Sequence, residues 1–127
     1  MTDSPKSGAL NVLGLPLEPC SMKPKTGWFR DGSCRTDAQD RGRHVVCAQV
    51  STAFLEYSKD RGNDLITPRP EHGFPGLVDG DCWCLCADRF TEAADAGAAP
   101  GVKLRSTEKS ALQVVSLAVL SAHSVDE

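Results

Sequence analysis

The run Cys82-Trp83-Cys84-Leu85-Cys86 alternates thiols with large apolar side chains without a break, and it holds half of the chain's six cysteines. In an extended strand the three thiols share one face, about 7 Å apart, while Trp83 and Leu85 face the other way. Such a row of thiols can bind a soft metal, carry thiol chemistry or pack as small hydrophobes, and the pattern leaves the three open.

Around that strand the sequence predicts an α+β domain. His44 to Val50 reads as a second strand, because Val45, Val46 and Val50 are β-branched and Cys47 falls on the face opposite Val46 and Ala48. Ser51 or Thr52 caps a helix over about 52–61, with Gly62 as its left-handed stop and with Phe54, Leu55 and Ser58 as its buried stripe. Asp88 reads as the cap of a helix over 88–96, Val102-Lys103-Leu104 as a short strand over 102–105, and Thr107-Glu108 as the start of a helix over 107–122 that Ser116 interrupts. Between 63 and 80, Pro68, Pro70, Pro75 and Gly73, Gly76, Gly80 predict a long Pro/Gly-rich loop, kept ordered by Phe74, Leu77 and Val78. The fold expected is a short mixed or antiparallel sheet with three to four helices, in one globular domain over 11–123 behind a disordered tail over 1–10.

At 127 residues the chain can bury about two-thirds of its unfolded surface. Its net charge of −3 and its single small basic cluster, Arg41, Arg43 and His44, argue against a phosphate-tracking surface. Residues 1–8 lack the apolar run of an export signal, and no stretch has the length of a membrane span. The expectation is a soluble, cytoplasmic protein whose partners are a metal ion or a small molecule, not nucleic acid or membrane. In a reducing compartment most of the thiols are expected free, with no disulfide inside 82–86, where i,i+2 geometry would strain one.

The candidate site follows from these placements. Cys84 and Cys86 share a strand face next to the helix beginning near Asp88, and a metal could take them with two of Cys20, Cys34, Cys47 or His44. Zinc or another soft metal is the cofactor expected, although C-x-x-C knuckles are absent; buried packing is the competing account, favoured for Cys20, Cys34 and Cys82. A thiol nucleophile would need a cation or base beside it, and only Arg89 and the distant histidines His44, His72 and His123 offer themselves. A second constellation is polar: Asn63, Asp64 and Arg69 lie in the proline-stiffened segment and Arg30-Asp31 in a turn, the composition of a small polar or anionic ligand site. No phosphate loop, Ser-His-Asp arrangement or paired carboxylates names a reaction.

Asn11-Val12-Leu13-Gly14, Pro16-Leu17-Glu18-Pro19-Cys20, Arg30-Asp31-Gly32, Val46-Cys47-Ala48, Gly62-Asn63-Asp64-Leu65, Phe74-Pro75-Gly76-Leu77 and Trp83-Cys84-Leu85-Cys86-Ala87 together resemble the signature of a bacterial family, domain of unknown function 2237. The resemblance implies a small single-domain soluble protein with no assigned activity. It also implies that Cys20, Cys34, Cys47, Cys84 and Cys86 stand at the family's cysteine positions, whereas Cys82 is an addition and Ser33 replaces a frequent second cysteine. Cys84 and Cys86 are therefore the pair expected to matter, with Cys47 beside them and Asn63, Asp64 and Arg69 at the rim.

Overall fold

The computed structural model describes residues 9–127. Its centre is a three-stranded antiparallel sheet in the order β2-β1-β3, with β1 at His44–Gln49, β2 at Cys82–Cys86 and β3 at Gly101–Val102. Three α-helices complete the described regular structure: α1 at Thr52–Asp60, α2 at Ala87–Asp95 and α3 at Leu117–Ala122. The fold is a small α+β domain, as the alternation of valines and cysteines predicts. No helix among the described residues is long and apolar enough to cross a membrane.

β1 is the middle strand and is covered on both sides, so Val45, Val46, Cys47 and Ala48 are all fully buried. Cross-strand register sets Val46 against Leu85 and Ala48 against Trp83 on one face, and Cys47 against Cys84 on the other. The aliphatic face collects Phe54 and Leu55 from α1, Phe90 and Ala93 from α2, and Leu77, Leu104 and Leu120 into the main core. The opposite face carries a separate cluster built from cysteines.

Local chemistry explains most element ends. The Ser51 hydroxyl accepts the Phe54 N–H at 3.1 Å to start α1, and Gly62 at φ 94° turns the chain away after it. Ser116 does break the C-terminal helical region: its hydroxyl accepts the Val119 N–H at 3.2 Å and starts α3. Other boundaries depart from the sequence reading. Residues 109–113 form a 3₁₀ turn, not α-helix, and the Glu108 carboxylate accepts the Ser110 N–H at 3.0 Å in front of it. β3 is only Gly101–Val102, because a 3₁₀ turn at Leu104–Ser106 ends the extended stretch expected to reach 105. α2 begins one residue early and its cap moves by two, from Asp88 to Cys86: strand β2 feeds straight into the helix, with Asp88 inside the first turn.

The segment before β1 is tied down at both ends. Most of the tail expected over 1–10 lies outside the described residues, but Leu10 bridges to Pro16 and accepts the Lys109 N–H at 2.9 Å. Asn11 is buried and spends its side chain on the backbone, accepting from Leu13 and Leu15 N–H and donating to the Arg105 carbonyl at 3.0 Å. Residues 20–33 then close into an arm, with the N–H groups of Cys20 and Ser21 donating to the Gly32 carbonyl. Gly27 makes that closure possible: at φ 105° a Cβ there would lie 2.3 Å from the Ser33 carbonyl oxygen.

Candidate functional site

The arm presses two cysteines onto the sheet. Cys20 and Cys34, from its two ends, meet Cys47 of β1 and Cys84 of β2, and all four are buried. They are paired as disulfides, Cys20 with Cys47 and Cys34 with Cys84, at Cα separations of 5.7 and 5.4 Å. The expectation of mostly free thiols is thus overturned; Cys82 and Cys86 alone are free. The reason is geometric. Sequence separations of 27 and 50 residues reveal no partner, yet the folded arm brings both pairs within the Cα range a disulfide spans. Within 82–86 there is no bond, in line with the strain expected of i,i+2 pairs.

The two bonds form one cluster. The sulfurs of Cys20, Cys34 and Cys47 all lie within 4.8 Å of one another, and Cys84 is bonded to one of them. Cys82 packs at the side of the group, its thiol pushed up by burial and by Asp81 against a lowering by Lys103. Two fully buried threonines fix the backbone beneath it. The Cys84 N–H donates to the Thr26 hydroxyl at 2.8 Å, and the Cys47 N–H to the Thr107 hydroxyl at 3.1 Å. Thr107 in turn donates to the Lys103 carbonyl, and the Lys103 ammonium reaches the Cys20 carbonyl at 3.5 Å and acts on the Cys82 thiol, so a cation stands at the edge of the group.

Of the predicted metal or thiol residues, Cys34, Cys47 and Cys84 come together, while Cys86 and His44 do not join them. Cys20, one of the possible further ligands, completes the group. Cys86 is half-buried at the start of α2 and lines a shallow depression with His44, Asn63 and Arg89. His44 is held elsewhere: its Nδ1 lies 2.7 Å from Asp40, whose side chain is fully buried. Burial opposes ionisation of Asp40, but hydrogen bonds from the His44 ring and N–H and from the Thr36 hydroxyl outweigh it and hold the carboxyl below its usual range. The register between β1 and β2 shifts between His44 and Val46, so strict alternation stops short of His44.

The polar candidates gather around Trp83. Arg30, Asn63, Asp64 and Arg69 line one depression of about 410 Å³ with Trp83 and Phe74. Asp31 stays outside it, accepting the Ser33 N–H at 3.0 Å and pairing with Arg35 at 2.8 Å. Asp64 accepts from the Thr67 hydroxyl at 2.6 Å and from the Thr67 and Ile66 N–H groups, which lower its carboxyl to about 2. The Arg30 guanidinium lies 4.9 Å from the centre of the Trp83 ring, and Trp83 meets Phe74 edge-on at 5.1 Å. Trp83 and Phe74 both belong to the main core; that Trp83 also forms a wall of the cleft had no sequence signal. Nor had the supporting roles of Thr26, Thr107 and Asp40, which depend on contacts between residues up to 60 apart in the chain.

With the geometry in view, comparison settles the lineage. The model of an uncharacterised protein family conserved in bacteria, domain of unknown function 2237, matches residues 10–124. The chain belongs to this family. The match takes in the arm, all three strands and all six cysteines, so the sulfur cluster lies wholly inside the family's domain. Among curated proteins, none matches the chain.

Proposed function

We propose that the four-cysteine cluster is a soft-metal centre, zinc being the first choice, and that the paired-disulfide arrangement is its oxidised, metal-free state. The observation that carries the reading is the convergence of Cys20, Cys34, Cys47 and Cys84 from four separate segments into one buried group. A tetrahedral site with Zn–S bonds near 2.3 Å needs sulfurs about 3.8 Å apart. The sulfurs of Cys20, Cys34 and Cys47 already lie within 4.8 Å of one another and Cys84 is bonded to Cys34, so side-chain rotation after the two bonds open would bring the four towards that spacing. The donors are sulfur alone, which selects a soft ion over magnesium or calcium. Four thiolates around a divalent ion leave a double negative charge, and the Lys103 ammonium beside Cys20 offsets part of it.

Each disulfide takes up two electrons and two protons on opening, and metal binding then releases the thiol protons. The test is to reduce the protein with a phosphine, remove the reductant anaerobically and add zinc or cobalt(II). One metal per chain is expected, with thiolate-to-cobalt charge-transfer absorption that is lost in Cys47→Ser and Cys84→Ser and kept in Cys86→Ser. Reduced protein that retains no metal refutes the centre and leaves two structural crosslinks, the reading that the Cα spacings also satisfy.

A further inference from the structure

We infer that the cleft around Trp83 is a second binding site, separate from the sulfur centre, for a small organic anion carrying a flat unsaturated ring. Two depressions, of about 420 and 410 Å³, meet over Arg30, His72 and Trp83 at the outer edge of β2. Their size is that of a small-molecule site. Flat aromatic side chains line them among the polar ones: Trp83 in both, Phe74 in one, and in the other Trp28, which is 41% exposed and stacks on the His44 ring at 6.0 Å.

The charge of the cleft runs against that of the chain. The protein carries a net −3, yet Arg30 and Arg69 both face into this region. The one carboxylate in the wall, Asp64, is committed to the Thr67 hydroxyl and two loop N–H groups. The side chains of Arg69, Asn63 and His72, by contrast, make no hydrogen bond or ion pair among the described residues, so their donors remain for a ligand. Arginine's planar fork suits a carboxylate or phosphate taken two-pronged.

The backbone is held under strain to build this arrangement. Arg30 sits at φ 55° and Arg43, next to His44, at φ 49°, left-handed conformations that a non-glycine residue rarely adopts. At Arg30 the conformation sets the guanidinium over Trp83, where it donates to the Gly27 carbonyl at 2.9 Å and leaves its remaining donors directed to the cleft. Cys84 forms part of the wall, so the ligand would lie next to the sulfur cluster without belonging to it.

The experiment uses the oxidised, metal-free protein, which separates this site from the metal reading. Benzoate and phenyl phosphate are titrated against inorganic phosphate and benzyl alcohol, read by intrinsic fluorescence, because both tryptophans of the chain line the cleft. Aryl anions are expected to bind with Kd of about 1 mM or tighter, at least about tenfold more tightly than phosphate or the neutral alcohol. Arg69→Glu is expected to abolish binding and Arg30→Ala to weaken it by about tenfold, while Arg69→Lys retains a part. Circular dichroism confirms that each variant is folded. The inference is overturned if phosphate alone or benzyl alcohol binds as well as the aryl anions, if folded Arg69→Glu binds unchanged, or if the aryl anions fail to bind at about 10 mM.

Discussion

The two faces of one short sheet are packed by different chemistry. On one, Val46, Ala48, Leu85 and Trp83 meet Phe54, Leu55 and Phe90 in a core held by apolar burial. On the other, Cys47 and Cys84 meet Cys20 and Cys34, and contact is made by sulfur linkage. The first depends on water alone and so is indifferent to redox state and metal. The second is only as strong as the chemical state of four sulfur atoms, and the arm it fastens is poor in helix or strand of its own. Stability is therefore expected to divide: the helices and sheet should hold in either redox state, while the arm, tied otherwise by a few hydrogen bonds, should depend on its sulfur links.

The largest test of this division is Phe90→Ala. Phe90 projects from α2 and is fully buried, and its removal is expected to cost about 3–5 kcal/mol in urea unfolding, equally with and without reductant. A loss that changes strongly with reductant would break the comparison, because the two faces would then not be independent. Next comes the paired substitution Cys34→Ala and Cys84→Ala, expected to cost about 2–4 kcal/mol in oxidising buffer through the 50-residue loop it opens. That difference should shrink to less than half in reductant with chelator, and return in reductant with zinc.

Asp40→Asn gives the smallest effect and sharpens the boundary between the faces, since Asp40 holds His44 at the start of β1. A loss of about 1.5 kcal/mol is expected at neutral pH, at the low end for a charged hydrogen bond because His44 is partly exposed. The folded carboxyl titrates below its usual value of 3.8. Its contribution is thus complete above 3.8 and lost as pH falls through the lower folded value. Urea melts of both proteins from neutral pH to well below pH 3.8 should draw together as the acid end is approached; a constant gap would show that the substitution acts through packing.

Much of the conditional face was illegible in the sequence, and for a physical reason. Strand periodicity, the Ser51 cap, the Gly62 stop and the Ser116 break are local, so β1, β2, α1 and the interruption before α3 could be read directly. The pairing of Cys20 with Cys47 is non-local and is set by how the arm closes through Gly27 and Gly32. Alternation put Cys82, Cys84 and Cys86 on one face, and the family resemblance singled out Cys84 and Cys86 as the pair to watch. The arm instead delivers Cys34 to Cys84, and helix α2 begins at once and carries Cys86 away. The polar constellation was more legible. Asn63, Asp64 and Arg69 are close in sequence and flank one turn, and only Arg30 had to arrive from elsewhere.

The arm also does something for β2 that has nothing to do with chemistry. β2 has a sheet neighbour on one side only, and an outward-facing N–H on such a strand invites a foreign chain to pair with it. Here the Cys84 N–H is spent on the Thr26 hydroxyl, and a side-chain contact offers no ladder to extend. The sulfur links that fasten the arm are therefore also a guard against self-association. Opening them is expected to weaken the cover over the β2 edge and to favour self-association.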